Sequence, residues 1–207
     1  MVDKIIELSI LSGGLLPLMG LVLLITLAVI IERCYFFHFI ASFGMALERD
    51  LKTIKPGETE KLRQLEKHYD SALQLSVVTS ALVCSQNDEQ GLERHMDEAI
   101  LWQIPKLEKN IWILDTSVTL APLMGLLGTI IGMVHAFDIL GVSGAGGSAT
   151  EMISGGIAEA LVATGAGILI AIIAVVFLNH FNKTIQTLLN QMELLKVMMK
   201  NRLINIK

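Results

Sequence analysis

The sequence predicts an all-α membrane protein, with three transmembrane helices that continue as long helices into a cytoplasmic helical domain. Hydrophobic residues make up 53% of the 207 residues, and the mean hydropathy is +0.61, so the chain is more apolar than an ordinary soluble domain. Charged residues make up 17%, too many for a chain that lies wholly in the bilayer. No segment shows the alternating apolar and polar pattern of a half-buried strand.

Three long runs of apolar residues give the membrane spans. Leu8 to Ile31 contains 24 residues without a charged side chain, Thr116 to Val134 contains 19, and Met152 to Leu178 contains 27 interrupted only by Glu159. A helix that crosses a bilayer needs about 20 apolar residues. Each run is long enough, and Pro17 favours a start of the first helix near Leu15.

The distribution of positive charge predicts the orientation. Of the 16 Lys and Arg residues, ten lie from Arg33 to Lys109 and five from Lys183 onwards, which leaves Lys4 alone near the N-terminus. Because Lys and Arg accumulate in cytoplasmic segments, we expect the N-terminus to face outward and the C-terminus to lie in the cytoplasm. The predicted segments are an outward-facing N-terminus (1–14), three transmembrane helices (15–33, 111–138 and 151–180), a cytoplasmic helical region (34–110), an outward-facing hairpin tip (139–150) and a cytoplasmic C-terminal helix (181–207).

Between the first two spans the pattern is helical. Apolar residues recur there at three-to-four spacing, and Pro105 predicts a kink or a restart of the helix that leads to the second span. Trp102 and Trp112 flank the entry to this span, as in an aromatic belt that contacts membrane lipid. The C-terminal helix mixes apolar and basic residues, and two possibilities stay open: it lies on anionic lipid, or it extends an oligomer into the cytoplasm, which we favour because it continues directly from the third span.

The second and third spans form a predicted hairpin with a glycine-rich tip. Ser148 and Glu151 have the spacing of a capping box that starts the third helix. In the second span Gly125, Gly128 and Gly132 fall on one helix face, where small residues let another helix approach closely. We therefore predict a helix-packing role for these glycines.

Glu159 is the candidate functional residue, because a charged side chain at the centre of a spanning helix costs about 2.5–3.5 kcal/mol on insertion scales and usually faces a bundle interior or an ion path. The alternative is a structural role alone, as a protonated carboxyl group that is hydrogen-bonded to a neighbour. Counting inward from the tip at about 1.5 Å per residue places Thr129 and Glu159 level, about 12–14 Å deep, with Thr164 on the order of 7 Å deeper. A single chain with three spans cannot enclose this polar track. It needs copies of the chain or a partner helix with its own titratable group.

Several other functions are disfavoured by the residues. The net charge of −4 argues against a nucleic-acid partner. Cys34 and Cys84 lack the spacing of a disulfide framework or a zinc site, and we expect no metal and no cofactor. The glycine-rich tip lacks the residues of a phosphate-binding loop. No set of nucleophile, base and orienting residue is present, so we do not expect an enzyme.

Two segments, LAPLMGLLGTIIGM (120–133) and GGIAEALVAT (155–164), resemble the signature helices of the MotA/TolQ/ExbB proton-channel family. The three-span layout with a large first cytoplasmic region is similar to the ExbB and TolQ branch. The resemblance implies a homopentamer around the single transmembrane helices of an ExbD/TolR-like partner, which brings the proton-carrying aspartate. It also implies pore-lining roles for Glu159, Thr129, Thr164 and Asn179.

The resemblance further implies a bacterial inner membrane, so that the outward-facing N-terminus (1–14) and hairpin tip (139–150) are periplasmic. It also implies that proton flow drives a motor acting on a periplasm-spanning protein such as TonB, which energises outer-membrane transport. A TolQ-like role in the Tol-Pal envelope system and a passive membrane scaffold are the alternatives. The sequence departs from the family pattern at Gly155, where a proline often stands. A protonatable carboxylate with few other oxygen ligands favours H⁺ over Na⁺.

Overall fold

The computed structural model describes residues 15–54, 58, 60–62, 64, 69, 72–83, 89–143 and 147–204, without the side chains at 139–143, 147–153, 159 and 204. Of the described residues 93% are helical, and none of them lies in a strand. The helices are α1 (Leu15–Thr53), α2 (Leu75–Val83), α3 (Glu89–Leu101), α4 (Ile104–Leu107), α5 (Ile111–Ser143) and α6 (Gly147–Ile204).

Three of these helices, α1, α5 and α6, are long and apolar enough to cross a membrane. Their most apolar windows are only 22–28% buried, so most of their apolar surface faces outward. A water-soluble fold would bury such surface, because exposing it to water is unfavourable. The predicted all-α fold class with three such helices is confirmed.

The contacts of the chain divide it into two units. The first, here called the apolar unit, comprises residues 1–31 and 110–179. Its core joins the start of α1 to α5 and α6 through buried Leu15, Met19, Met124, Ala163 and Ile170. Small and flexible side chains at these contacts let the three helices pack closely.

The second unit, here called the bundle unit, comprises residues 32–109 and 180–207. Its core contains residues from α1, α2, α3 and α6, among them the fully buried Leu47, Val78, Met96 and Met192. Along α6 the buried residues recur every three or four positions, which is the pattern of a helix that packs one face against a core. These residues are Phe181, Ile185, Leu188, Met192, Leu195, Met199 and Leu203.

The helix restart predicted at Pro105 is observed. α3 ends at Leu101, and α4 begins at Ile104 with the proline in its first turn. Proline is tolerated there because the N–H it lacks would have no partner within the helix. Asn110 then adopts a positive φ of 61° before α5 begins, which is a conformation that asparagine tolerates better than most residues.

At the hairpin tip the helices are longer than predicted. α5 runs to Ser143 and α6 begins at Gly147, so much of the predicted tip (139–150) is helical, and Ser148 lies inside α6 instead of before it. A glycine inside a helix costs only about 1 kcal/mol relative to alanine, so the glycines here do not by themselves end a helix. The side chains of the predicted capping box, the three residues of the break and the N-terminal segment 1–14 lie outside the described residues.

Candidate functional site

The line of contact between α5 and α6, here called the seam, consists largely of glycine and alanine residues. A Cβ added at Gly132 would lie 2.7 Å from the Cβ of Ala160, and one added at Gly128 would lie 3.1 Å from the Cβ of Ala163. At Gly125 a Cβ would lie 2.9 Å from the Cα of Thr164. All three glycines of the second span therefore face α6 at distances that a larger side chain could not keep.

α6 contributes a glycine of its own to this seam. A Cβ on Gly167 would collide with the carbonyl oxygen of Ala121 and lie 3.3 Å from the Cα of Gly125. Gly167 was not among the residues predicted to pack, although its spacing of four from Ala163 on the same helix face was a usable signal. The close approach of the two backbones therefore depends on glycines from both helices.

The seam fixes which residues lie at the same depth. Gly132 faces Ala160 and Gly128 faces Ala163, so Glu159 is level with Gly132, and Thr129 lies about three residues, or roughly 4.5 Å, further from the tip. The expectation that Thr129 and Glu159 are level was wrong by this offset. Its physical reason is that both counts started from charged residues that lie inside the helices and not at their ends.

Thr129 and Thr164 are brought together through one backbone carbonyl. The hydroxyl of Thr164 donates a hydrogen bond of 2.8 Å to the carbonyl oxygen of Gly125. In a regular α-helix this same carbonyl accepts the N–H of Thr129, four residues later. The hydroxyl of Thr129 itself donates to the carbonyl of Leu126 at 2.7 Å. Both threonines are half-buried, so both polar side chains are satisfied within the helix pair.

Glu159 lies on the other flank of the seam. Its backbone is in α6, and its side chain is outside the described residues. At about 100° per residue, the order around α6 is Glu159, Ala163, Ala160, Thr164, at intervals of about 40°, 60° and 40°. Ala160 and Ala163 are buried against α5. The helix positions of residues 159 and 164 therefore lie on opposite sides of the seam.

Asn179 is not part of this constellation. It is exposed, and at 1.5 Å per residue it lies about 22 Å beyond Thr164 along α6. If Asn179 lines the same proton path as Thr129 and Thr164, it does so at a different depth.

A second polar contact in the apolar unit, between α1 and α5, was not predicted from the sequence. Thr26 of α1 is fully buried, and its hydroxyl lies 2.9 Å from the hydroxyl of Ser117 of α5, which is 4% exposed. Each hydroxyl also reaches a carbonyl of its own helix, at Val22 and Ile113. Interhelical hydrogen bonds of this kind hold transmembrane helices together. A single hydroxyl in each apolar run gave no signal that the two would meet.

No group of three potential metal ligands occurs in the part of the chain that the structure describes. The polar side chains at the α5–α6 contact and at the α1–α5 contact are hydroxyls, and such groups donate and accept hydrogen bonds but do not hold a metal ion firmly. The chemistry that this arrangement offers is hydrogen bonding and proton transfer, with Glu159 as the candidate titratable group.

Comparison with known proteins decides the family. Residues 62–194, well over half of the chain, match the MotA/TolQ/ExbB proton channel family. The chain belongs to this family. The resemblance read from the two signature helices is thereby confirmed, and together with the three apolar helices it makes the chain an integral membrane protein.

Among its relatives, the chain is 30% identical to a biopolymer transport protein of Synechocystis sp. named ExbB-like 3, over 173 residues that cover 82% of this chain and 81% of the relative. It is 39% identical to the Tol-Pal system protein TolQ of Haemophilus influenzae, over 93 residues that cover 45% and 40%. It is 33% identical to the biopolymer transport protein ExbB of Xanthomonas campestris, over 92 residues that cover 44% and 36%. The matches to TolQ and ExbB thus span less than half of either relative.

Proposed function

We propose that this chain is an ExbB-like proton-channel subunit of an energy-transducing motor in the bacterial inner membrane. In this proposal it uses the proton motive force with an ExbD-like single-span partner to energise a TonB-like protein and, through it, outer-membrane transport. Family membership supports a channel role. The observation that carries the site is the polar pair of Thr129 and Thr164 at Gly125, with the acidic position 159 less than two turns away in otherwise apolar helices.

The flank of α6 that carries position 159 is open in the described residues, which supports a neighbouring helix there. A Cβ added at Gly155 would meet nothing within 4 Å, and Val162, three residues after Glu159, is 62% exposed. An unsatisfied carboxyl group facing lipid is costly, so it needs a partner or a water-filled cavity. A homopentamer that surrounds the partner helices supplies both.

The proposed path uses proton transfer and not ion coordination. Burial disfavours the charged form of a carboxyl group, so such a group holds a proton until a polar partner approaches. The aspartate of the partner helix is the proposed shuttle, and Glu159 shapes the chamber in which it moves. Thr129 and Thr164 supply hydroxyls next to the chamber, and Asn179 marks its cytoplasmic end. Carboxyl and hydroxyl groups without further oxygen ligands favour H⁺ over Na⁺.

The orientation that goes with this function has a periplasmic N-terminus and a cytoplasmic C-terminus, as the distribution of Lys and Arg predicts. Protons then enter from the periplasmic tip of the hairpin and leave at the cytoplasmic end of the third span, near Asn179. Cysteine accessibility to an impermeant reagent, measured on single-cysteine variants of the tip and of the C-terminus, tests this assignment. Labelling of the C-terminus from the periplasm would reverse it.

The function is tested by substituting Glu159 in a strain that lacks any redundant homologue. Glu159→Ala and Glu159→Gln should abolish TonB-dependent uptake while the protein still co-purifies with its partner. Asp138→Asn is the matched control, because it removes an exposed acid from the neighbouring helix and should leave uptake unchanged. Full uptake in the Glu159→Ala strain refutes the assigned role.

The threonine pair is tested with isosteric and conservative variants. Thr164→Val removes the hydroxyl that reaches Gly125 but keeps the shape, whereas Thr164→Ser keeps the hydroxyl. We expect uptake to be lost in the valine variant and largely retained in the serine variant, with partner binding preserved in both. Equal activity in the two variants would show that the hydroxyl has no part in the function.

A TolQ-like role is the second candidate, because 93 residues of the chain are 39% identical to a TolQ protein. It predicts that loss of the gene causes detergent sensitivity and defective constriction, with siderophore uptake intact, and that the chain co-purifies with a TolR-like partner. A passive scaffold makes a different prediction: Glu159→Gln would be tolerated and an uncoupler would leave the function unchanged. Phenotyping one deletion strain for uptake, envelope integrity and uncoupler sensitivity separates the three.

A further inference from the structure

The turn between α3 and α4 presents large apolar side chains on its outside. Leu101 is 62% exposed and Trp102 is 68% exposed, whereas the next residue, Gln103, is 6% exposed and Leu107 is fully buried. Residues 101–109, here called the α3–α4 corner, thus have an inner face that packs into the bundle unit and an outer face that carries a leucine and a tryptophan. An exposed tryptophan is unusual on a surface that meets only water.

The corner is held in place by a buried arginine. Arg33 is 1% exposed, and its Nη1 donates to the carbonyl oxygens of Lys106 and Leu107 at 3.3 and 3.5 Å. Lys106 and Leu107 are the last residues of α4, and no backbone N–H within so short a helix donates to their carbonyl oxygens. A carboxylate oxygen of Glu32 lies 3.3 Å from Nε of Arg33. The positive charge of the guanidinium is therefore compensated. Trp102 is therefore exposed on a backbone segment that is held in place, and not at a frayed helix end.

Charge and chain position indicate what the outer face meets. Lys106 and Lys109 are exposed beside it, and two acids lie there as well: Glu108, between the lysines in the sequence, and Glu98, whose carboxylate accepts the indole N–H of Trp102 at 3.4 Å. Trp102 is nine residues before Ile111, the first residue of the apolar helix α5, and the next residue, Trp112, is 67% exposed. Tryptophan prefers the level of the lipid headgroups, and lysine next to it attracts anionic lipid.

We propose that the α3–α4 corner is a lipid-docking surface, in which Leu101 and Trp102 insert among the headgroups of the cytoplasmic leaflet while Lys106 and Lys109 bind the phosphates of anionic phospholipids. The long side chains of the lysines bring their charge to the phosphates and lay their stems along the apolar surface. This surface requires that the chain spans a membrane with the α3–α4 corner on the cytoplasmic side. It does not depend on proton conduction.

The chain contains two tryptophans, which makes a direct test possible. Trp112→Phe leaves Trp102 as the single fluorophore without altering the corner, and Trp102→Phe gives the matched protein that reports on Trp112. Both full-length proteins are reconstituted in nanodiscs of phosphatidylcholine alone or mixed with phosphatidylglycerol, with and without a nitroxide on the lipid headgroup. The emission wavelength, nitroxide quenching and iodide quenching of Trp102 are measured.

We expect Trp102 to emit at shorter wavelength than a free indole in water, to lose intensity to the headgroup nitroxide, and to resist iodide. Phosphatidylglycerol should increase the nitroxide quenching, and the double variant Lys106→Gln, Lys109→Gln should abolish that increase. A Trp102 that iodide quenches and the nitroxide does not would overturn the proposal. So would a Trp102 that is protected from iodide only when other membrane proteins are present, since that result assigns the surface to a protein partner.

Discussion

Two glycines on the same helix, two residues apart, should respond in opposite ways to the same substitution. Gly167 faces the carbonyl of Ala121 across the α5–α6 seam, and an added methyl group would collide with it. Gly165 has nothing within 4 Å of the place where a Cβ would stand. The pair Gly167→Ala and Gly165→Ala therefore tests whether the seam is as close as the structure shows.

The expected difference in the free energy of unfolding comes from two effects, of which both substitutions share one and only Gly167→Ala has the other. Both substitutions gain about 1 kcal/mol of helix propensity, and this gain cancels between them. Gly167→Ala adds overpacking, which typically costs 1–3 kcal/mol, and here the obstacle is backbone, which cannot move aside as a side chain can. Gly167→Ala should therefore be about 1–3 kcal/mol less stable than Gly165→Ala, towards the upper end of that range.

The assay is reversible unfolding of the purified chain in mixed detergent micelles, with helix content followed by circular dichroism. Subunits should be dissociated before the measurement, so that contacts of Gly165 with a neighbouring copy do not contribute. Equal stability of the two alanine variants would refute the close backbone contact. A lower stability of Gly165→Ala would show that the exposed flank is occupied within the monomer.

Two further predictions concern polar contacts. Thr26→Val and Ser117→Ala, combined in a double-mutant cycle, should show a coupling of about 0.6 kcal/mol and no more than about 1.7 kcal/mol, as for other hydrogen bonds between membrane helices; additive effects would mean that the two hydroxyls do not interact. In the bundle unit, the hydrogen bond to Asp97 raises the pKa of Lys196 above its usual 10.5. The contribution of this hydrogen bond to stability is therefore complete below pH 10.5 and is lost as the pH rises through the raised pKa. Thermal melts should accordingly show a steeper loss of stability at alkaline pH in the wild type than in Lys196→Met.

The spans were predictable because the bilayer imposes a simple requirement. A run of apolar residues without charges can satisfy its backbone only as a helix when it is in lipid, so the three apolar helices followed from composition alone. Pro105 was equally informative, because a missing N–H restricts where a proline can stand in a helix. Neither prediction required knowledge of which helices contact each other.

The internal arrangement of the hairpin was less predictable. The third span contains so many small residues that Gly167 did not stand out, and its role appears only when Ala121 lies opposite. The depth of Thr129 depended on the helix ends, and a glycine-rich segment does not mark these sharply. The contact of Thr26 with Ser117 joins residues 91 positions apart, which requires the relative position of two helices and leaves no trace in local sequence.

The length of α6 has a consequence for how this chain tolerates insertions and deletions. α6 has 58 residues without a break, and its buried positions in the apolar unit and in the bundle unit lie on one continuous helix. Inserting one residue after Leu188 would turn everything after it by about 100°, which carries Met192 and Met199 away from the core that they share with α1, α2 and α3. Insertions and deletions should therefore be poorly tolerated in the part of α6 that lies in the bundle unit.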